Sequence, residues 1–183
     1  MALRGALSYS ASRTYLECPL RYRFLYIEGL PETPRGYFSF GRSVHSALEE
    51  FVRPLLSPQA RRPAPGEAQK TLDEWHPGKQ LSPPPGLLPR AELLALLDRH
   101  WVSDGYSSPE EETRYKRLGA EMLSGYYDEF QRSPPVPVAV EEHLEAQWDG
   151  IPIHGYVDRI DLTPGGGLEI VDYKTSRELS RGD

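Results

Sequence analysis

Apolar residues recur every three or four positions in several stretches of the first 132 residues, and a looser alternation follows these stretches. A three-to-four residue period is typical of amphipathic helices, and serine before such a run is a favoured helix N-cap. The pattern predicts helices after Ser8 to Ser12, from Pro19, over 41–52, over 91–102 and over 109–132.

The apolar stripes of three of these helices predict which faces are buried. The stripes are Val44, Leu48, Phe51 and Val52; Leu93, Leu94, Leu96 and Leu97; and Tyr115, Leu118, Met122 and Tyr126.

Two turn signals divide the remaining sequence into strands. Asp149-Gly150 is a strong hairpin signal, and Thr163 to Gly167 is rich in turn residues. They predict strands over 136–148 and 151–162 and a third that leads to Asp172. Helices followed by a three-stranded meander indicate an α+β fold.

The expected organisation is a helical part over 1–135 and a β-meander over 136–183, which together form one domain. A Pro-rich loop is predicted near 54–89.

Composition narrows the functional classes. The chain has 183 residues, a formal charge of −6 and 38% hydrophobic residues, so nucleic-acid binding through bulk charge is disfavoured, although a local basic groove is not. Cys18 is the single cysteine, which excludes an internal disulfide and a cysteine-only zinc site. No apolar run is long enough to span a membrane and no secretory segment is evident, so we expect a cytoplasmic protein.

Asp172 and Lys174 are the most informative pair of polar residues. Side chains two positions apart on a strand project to the same side, so the two should share one pocket. A carboxylate beside an ammonium suits a site that holds a divalent cation and stabilises developing negative charge. The alternative is an exposed strand-end ion pair worth less than about 1 kcal/mol.

The turn before Asp172 predicts a second carboxylate nearby. A hairpin that is symmetric about Gly165 pairs Asp158 with Asp172, and Mg²⁺ is commonly held by one or two carboxylates. The same register places Asp161 opposite Glu169, which is unfavourable unless they are solvated or paired. A bulge or a slipped turn is therefore the alternative.

Two earlier segments offer further ligands. His45 lies in an amphipathic helix and its imidazole suits Mn²⁺, although a histidine of this kind also occurs without a ligand role. One residue of the pair Glu141 and Glu142 must face the side of the site, unless that face is simply solvated.

Taken together, the segments resemble the RecB-like branch of the PD-(D/E)xK nuclease superfamily. The matching pieces are Ser8-x-Ser10, Cys18-Pro19-x-x-Tyr22, Gly41-x-x-x-His45-x-x-Leu48-Glu49, Glu141 or Glu142, Gly155-x-x-Asp158-x-x-Asp161 and Asp172-Tyr173-Lys174-Thr175. The resemblance implies a restriction-endonuclease-like core.

The resemblance also implies roles for individual residues. Asp158 and Asp172 would be metal-binding and catalytic carboxylates, His45 and the Tyr173 carbonyl further metal ligands, and Lys174 the catalytic lysine. Glu141 and Glu142 would support them. The implied cofactor is Mg²⁺ or Mn²⁺, and the implied reaction is exonuclease-like hydrolysis of DNA in repair or recombination.

DNA, single-stranded or with free ends, is the expected partner, with a bound or fused helicase as a further possibility. Arg13, Arg21 and Arg42 are candidate phosphate contacts, and Tyr22 is a candidate for base stacking. For Tyr22, packing in the helical core is the alternative.

The sequence departs from the family pattern after Lys174. Only nine residues follow, and no Gln occurs after Gln147. We therefore expect either a truncated core that lacks the family's Gln-x-x-x-Tyr helix and closing strand, or a sequence that is a fragment of a longer protein. With no cysteine besides Cys18, an iron–sulfur cluster is not expected in this chain. Two other functions stay open: a non-catalytic nucleic-acid-binding or scaffold domain, and a metal hydrolase that acts on a small substrate.

Overall fold

The computed structural model describes residues 6–56 and 88–175, so most of the predicted Pro-rich loop lies outside the described residues. The helices are α1 (Tyr9–Glu17), α2 (Pro19–Tyr22), α3 (Gly36–Val52), α4 (Arg90–Arg99) and α5 (Pro109–Arg132). The strands are β1 (Leu7–Ser8), β2 (Pro137–Trp148), β3 (Ile151–Leu162) and β4 (Leu168–Val171). A π-helical turn over Arg23–Ile27 follows α2, and a 3₁₀ turn over Arg53–Leu55 follows α3.

Local sequence signals account for where two of the helices begin. The Ser8 hydroxyl accepts the Ala11 amide at the start of α1, and the Ser108 hydroxyl accepts the Glu111 amide at the start of α5. The bounds of α5 are those predicted, whereas α3 begins at Gly36, before the predicted residue 41.

Helices α3, α4 and α5 enclose the main apolar core. Its most deeply buried side chains include Phe40, Phe51, Leu93, Leu96 and Leu123. None of the helices within 6–56 and 88–175 is long and apolar enough to cross a membrane.

The face of α5 that was predicted to be buried is not the face that is buried most deeply. The buried residues are Gly119, Leu123, Tyr127 and Phe130, whereas the predicted Tyr115, Leu118, Met122 and Tyr126 are only partly buried against the core. A Cβ atom at Gly119 would lie 3.2 Å from side-chain atoms of Leu97 and Phe40. The neighbouring helices therefore approach α5 at a residue that adds nothing to the hydrophobic pattern. Leu94 of α4 is likewise only partly buried.

Strand β3 lies at the centre of a four-stranded sheet. It pairs with β2 antiparallel along its length, with β4 antiparallel at its C-terminal end, and with β1 in parallel near its start. The predicted meander is thus extended by one strand, β1, which has only two residues and is too short to show an alternation.

The β3–β4 hairpin has the predicted register. Asp161 pairs with Glu169 and Ile160 with Ile170, so the turn is symmetric about Gly165. Strand β4 ends at Val171, and no helix or strand follows it within the described part of the chain. Asp172 to Thr175 therefore leave the sheet in an irregular conformation that faces α3.

Candidate metal centre and active site

His45, Glu141 and Asp158 converge from three elements. Each offers one ligand atom, and these atoms all lie within 4.8 Å of one another. Helix α3 contributes the imidazole, and the paired strands β2 and β3 contribute the two carboxylates. Distant parts of the sequence thus meet at one partly buried point.

Glu141 is the member of the Glu141 and Glu142 pair that reaches this point. It stands opposite Asp158, between the pairs Val140↔Arg159 and Glu142↔Val157. Its backbone φ is 49°, a left-handed conformation that non-glycine residues rarely adopt inside a strand. Such strain is concentrated at functional sites, where the surrounding structure holds it in place.

The electrostatics of Glu141 are unfavourable without a cation. Burial, followed by the charges of Asp158 and Glu49, raises the pKa of the Glu141 carboxyl above its ordinary value. A carboxylate that is desolvated next to another carboxylate favours either a proton or a bound cation.

Asp158 fixes the backbone that carries the Asp172-Tyr173-Lys174 motif. Its Oδ2 accepts a 2.5 Å hydrogen bond from the Tyr173 amide, just beyond the end of β4. Burial works to raise the pKa of Asp158, but hydrogen bonds from His45 and from the Tyr173 amide outweigh it, and the pKa falls below its ordinary value. Asp158 is therefore ionised at neutral pH.

His45 contacts two oxygens, one from Tyr173 and one from Asp158. Its Nε2 lies 2.9 Å from the Tyr173 carbonyl oxygen, and its Nδ1 lies 3.5 Å from Asp158 Oδ1. The hydrogen bond with Asp158 is the main reason that the pKa of His45 is raised. A protonated imidazole donates to both oxygens and supplies the positive charge that this cluster requires.

The donor set suits a divalent cation. It comprises an imidazole nitrogen, two carboxylates and a peptide carbonyl, which are ligands that Mn²⁺ and, for the oxygen donors, Mg²⁺ accept. The raised pKa of Glu141 is a second indication, because a cation would relieve the repulsion between the carboxylates.

Asp172 and Lys174 lie at the exposed edge of the site. Their side chains are ion-paired with each other, and they are 58% and 62% exposed. Asp172 also lies close enough to Asp158 to contribute to the lowered pKa of that carboxyl. The structure thus brings the two aspartates near each other, although Asp172 is outside the group formed by His45, Glu141 and Asp158.

A buried polar network anchors the ring of Tyr173. Arg159 donates to Tyr173 Oη at 3.0 Å and also to the hydroxyl of Tyr126. On its other side, Arg159 Nη2 lies 2.9 Å from Asp161 Oδ2. Arg159 and Asp161 are only 7% and 4% exposed. The network holds the Tyr173 backbone, and with it the carbonyl that His45 contacts.

This network was not predicted from the sequence. Arg159-x-Asp161 on a strand could have indicated a same-side ion pair, but nothing in the sequence shows that it is buried beneath a tyrosine ring. Burial raises the pKa of both Tyr126 and Tyr173, so both hydroxyls remain protonated.

The roles of two residues that flank His45 were also not predicted from the sequence. A Cβ atom at Gly41 would lie 3.3 Å from Thr175 Oγ1, so the glycine permits close packing of the motif against α3. Glu49 follows His45 by one helical turn and borders the same cleft of about 330 Å³ as Glu141.

The predicted nucleic-acid contacts are distributed over two regions. Arg42 borders the cleft that contains His45. Arg13 and Arg21, on α1 and α2, are ion-paired with Glu17 and Glu32, respectively. The ring of Tyr22 stacks on Tyr26 at 5.2 Å and meets Tyr15 edge-on at 5.4 Å.

The sequence profile of the PD-(D/E)XK nuclease superfamily matches residues 6–182. The chain belongs to this superfamily. The four-stranded sheet with its five described helices is consistent with the restriction-endonuclease-like core, which confirms the predicted fold class. Family membership, together with the His45, Glu141 and Asp158 group, supports a metal-dependent nuclease.

One curated relative gives a more distant comparison. The chain is 23% identical over 185 aligned positions to the Gene 69 protein of Mycobacterium phage D29, and the alignment covers 93% of the chain. It covers 62% of that relative, so the chain spans less than two thirds of its length. No solved structure matches the chain significantly.

Proposed function

We propose that the protein is a Mg²⁺- or Mn²⁺-dependent deoxyribonuclease of the RecB-like branch. The observation that carries the proposal is the convergence of His45, Glu141 and Asp158 beside the Tyr173 carbonyl, next to the exposed Asp172 and Lys174. Membership of the nuclease superfamily supports it.

The proposed ligands are His45, Asp158, Asp172 and the Tyr173 carbonyl, with Glu141 as a supporting carboxylate. A divalent cation held there would polarise the scissile phosphate and lower the pKa of a bound water. His45 must release one ring proton before a nitrogen can act as a ligand. Asp158, which is held ionised, contributes negative charge at the centre of the set.

Lys174 is the proposed catalytic cation. Its ammonium lies at the solvent-exposed edge, where a phosphodiester can approach, and Asp172 keeps it near the other ligands. There it would orient the attacking water or stabilise charge that develops on the phosphate oxygens. Arg42, at the adjacent cleft, is the proposed phosphate contact closest to this centre.

The proposed substrate is DNA that is single-stranded or has free ends. The stacked Tyr22 and the arginines Arg13 and Arg21 offer a path for a single strand, provided that their glutamate partners yield to phosphates. An exonuclease role in repair or recombination, a helicase partner and a cytoplasmic location belong to the same proposal.

Cleavage of end-labelled single-stranded DNA with Mn²⁺ or Mg²⁺ tests the proposal. We expect the protein to cleave, Lys174→Ala and Asp172→Ala to abolish cleavage, and Lys116→Ala to retain it. Lys116 is a matched control because its ammonium forms a surface ion pair with Asp98 at 2.8 Å. Binding without cleavage, unchanged by these substitutions, would instead support a non-catalytic DNA-binding domain.

A further inference from the structure

The outer half of the β2–β3 hairpin carries a second group of ligand-type side chains. His143 pairs with Tyr156, and Glu145 pairs with His154. Because side chains alternate along each strand, all four project from one face of the sheet. The pairing is continuous from Glu142↔Val157 to Trp148↔Ile151, so the group rests on a regular two-stranded ribbon.

One ring nitrogen of His143 faces one ring nitrogen of His154. His143 Nε2 lies 3.2 Å from His154 Nδ1. Two nitrogens bound to one zinc-like ion at about 2.0–2.1 Å, with an angle of roughly 90–110° between them, are about 2.9–3.4 Å apart. The observed separation therefore matches that of neighbouring ligands on a single metal ion.

Two neighbouring side chains border the His143 ring. A carboxylate oxygen of Glu145 lies 3.9 Å from Nδ1 of His143, the nitrogen that faces away from His154. The ring of Tyr156 packs against His143 at 4.8 Å.

We propose that His143 and His154 form a second cation site that takes zinc-class transition metals such as Zn²⁺, Ni²⁺ and Co²⁺. Two imidazole nitrogens suit these ions, and they do not suit Mg²⁺, which demands oxygen ligands. Water or a phosphate oxygen completes the coordination on the exposed side.

This site is separate from the centre at Asp158 and lies on the same strand. His154 precedes Asp158 by four residues, so they are about 13 Å apart along β3. The ligand atoms of His45, Glu141 and Asp158 form a group of their own, so both sites can be occupied together.

Zinc titration of the Asp158→Asn variant tests the proposal, because this background weakens the other centre. The purification tag is removed first, binding is measured by calorimetry, and histidine ring signals are followed by NMR. We expect one Zn²⁺ per chain, perturbed signals of His143 and His154, and more than about tenfold weaker binding after His143→Gln or His154→Gln.

The matched control is His100→Gln, which removes another half-exposed imidazole, one that pairs with Glu50 at 2.5 Å. This variant should bind Zn²⁺ as the background does. No zinc binding in the background, or binding that survives both His143→Gln and His154→Gln, would overturn the proposal. The readout is binding, so a failure to detect nuclease activity does not affect it.

Discussion

Replacing Arg159 with methionine should destabilise the protein strongly. The guanidinium is 7% exposed and contacts Asp161, Tyr126 and Tyr173. Methionine fills a similar volume but leaves the Asp161 carboxylate buried without a counter-charge. Asp161 Oδ1 already has no hydrogen-bond partner within residues 6–56 and 88–175. Removing one partner of a buried ion pair costs about 3–5 kcal/mol.

Urea denaturation followed by circular dichroism measures this loss. For a chain of this size, about 3–5 kcal/mol corresponds to a fall in melting temperature of roughly 6–20 °C. Arg117→Met is the matched control, because Arg117 is 75% exposed and lies 3.7 Å from Glu121. A surface substitution of this kind should change the free energy of unfolding by less than about 0.5 kcal/mol.

The pH dependence of the loss identifies its cause. Burial raises the pKa of the Asp161 carboxyl, and the charge of Arg159 opposes that rise. Without Arg159 the folded pKa rises further above the unfolded value. The folded state then binds more protons than the unfolded state, so stability falls as the pH increases through this interval. The Arg159→Met deficit should therefore be smaller at pH 5 than at pH 7.5.

Adding Asp161→Leu to Arg159→Met should restore most of the lost stability, because a buried pair can be replaced by apolar residues at little cost. If Arg159→Met loses no more stability than Arg117→Met, or if its deficit is equal at both pH values, the buried ion pair does not stabilise the fold in this way.

Three further predictions concern individual residues. Gly105→Ala should cost several kcal/mol, because φ is +84° and a Cβ atom would lie 2.5 Å from the Arg35 amide nitrogen. Gly150→Ala, where φ is +76° but the surrounding space is open, should cost only about 1 kcal/mol. Both losses are measured by urea denaturation, and equal losses would contradict this explanation. Glu141→Gln should weaken Mn²⁺ binding, measured by calorimetry, and should raise the free energy of unfolding at pH 7. The gain is expected because a carboxyl with a raised pKa destabilises the fold when it is ionised, and a loss of stability would contradict this prediction. Tyr173→Phe should lower the free energy of unfolding by about 1–3 kcal/mol and lower kcat, because Arg159 loses an acceptor at 3.0 Å. Unchanged stability and kcat would show that the Tyr173 hydroxyl does not position the site.

The strand pattern and turn residues were enough to predict the sheet around the site. The symmetric turn at Gly165 placed Asp161 opposite Glu169 and brought Asp158 near Asp172, as the structure shows. Turn residues and alternation are local properties, so a single sequence contains the information that they require.

Features that depend on tertiary packing were not predictable in this way. The left-handed backbone of Glu141 is one such feature, because no propensity indicates that conformation for glutamate. The burial of Arg159 and Asp161 depends on how α5 and Tyr173 cover β3. Likewise, the buried face of α5 includes Gly119, where neighbouring helices approach closely, and the hydrophobic period gives no sign of this contact.

The most direct test of the proposed active site separates cation binding from catalysis. Mn²⁺ binding, measured by electron paramagnetic resonance, and DNA cleavage are compared in the native protein and in Asp158→Asn and Lys174→Ala. We predict that Asp158→Asn loses both, since Asp158 lies at the centre of the ligand group, and that Lys174→Ala loses cleavage but still binds Mn²⁺. Cleavage that persists in Asp158→Asn, or Mn²⁺ binding that this variant retains in full, would contradict the account.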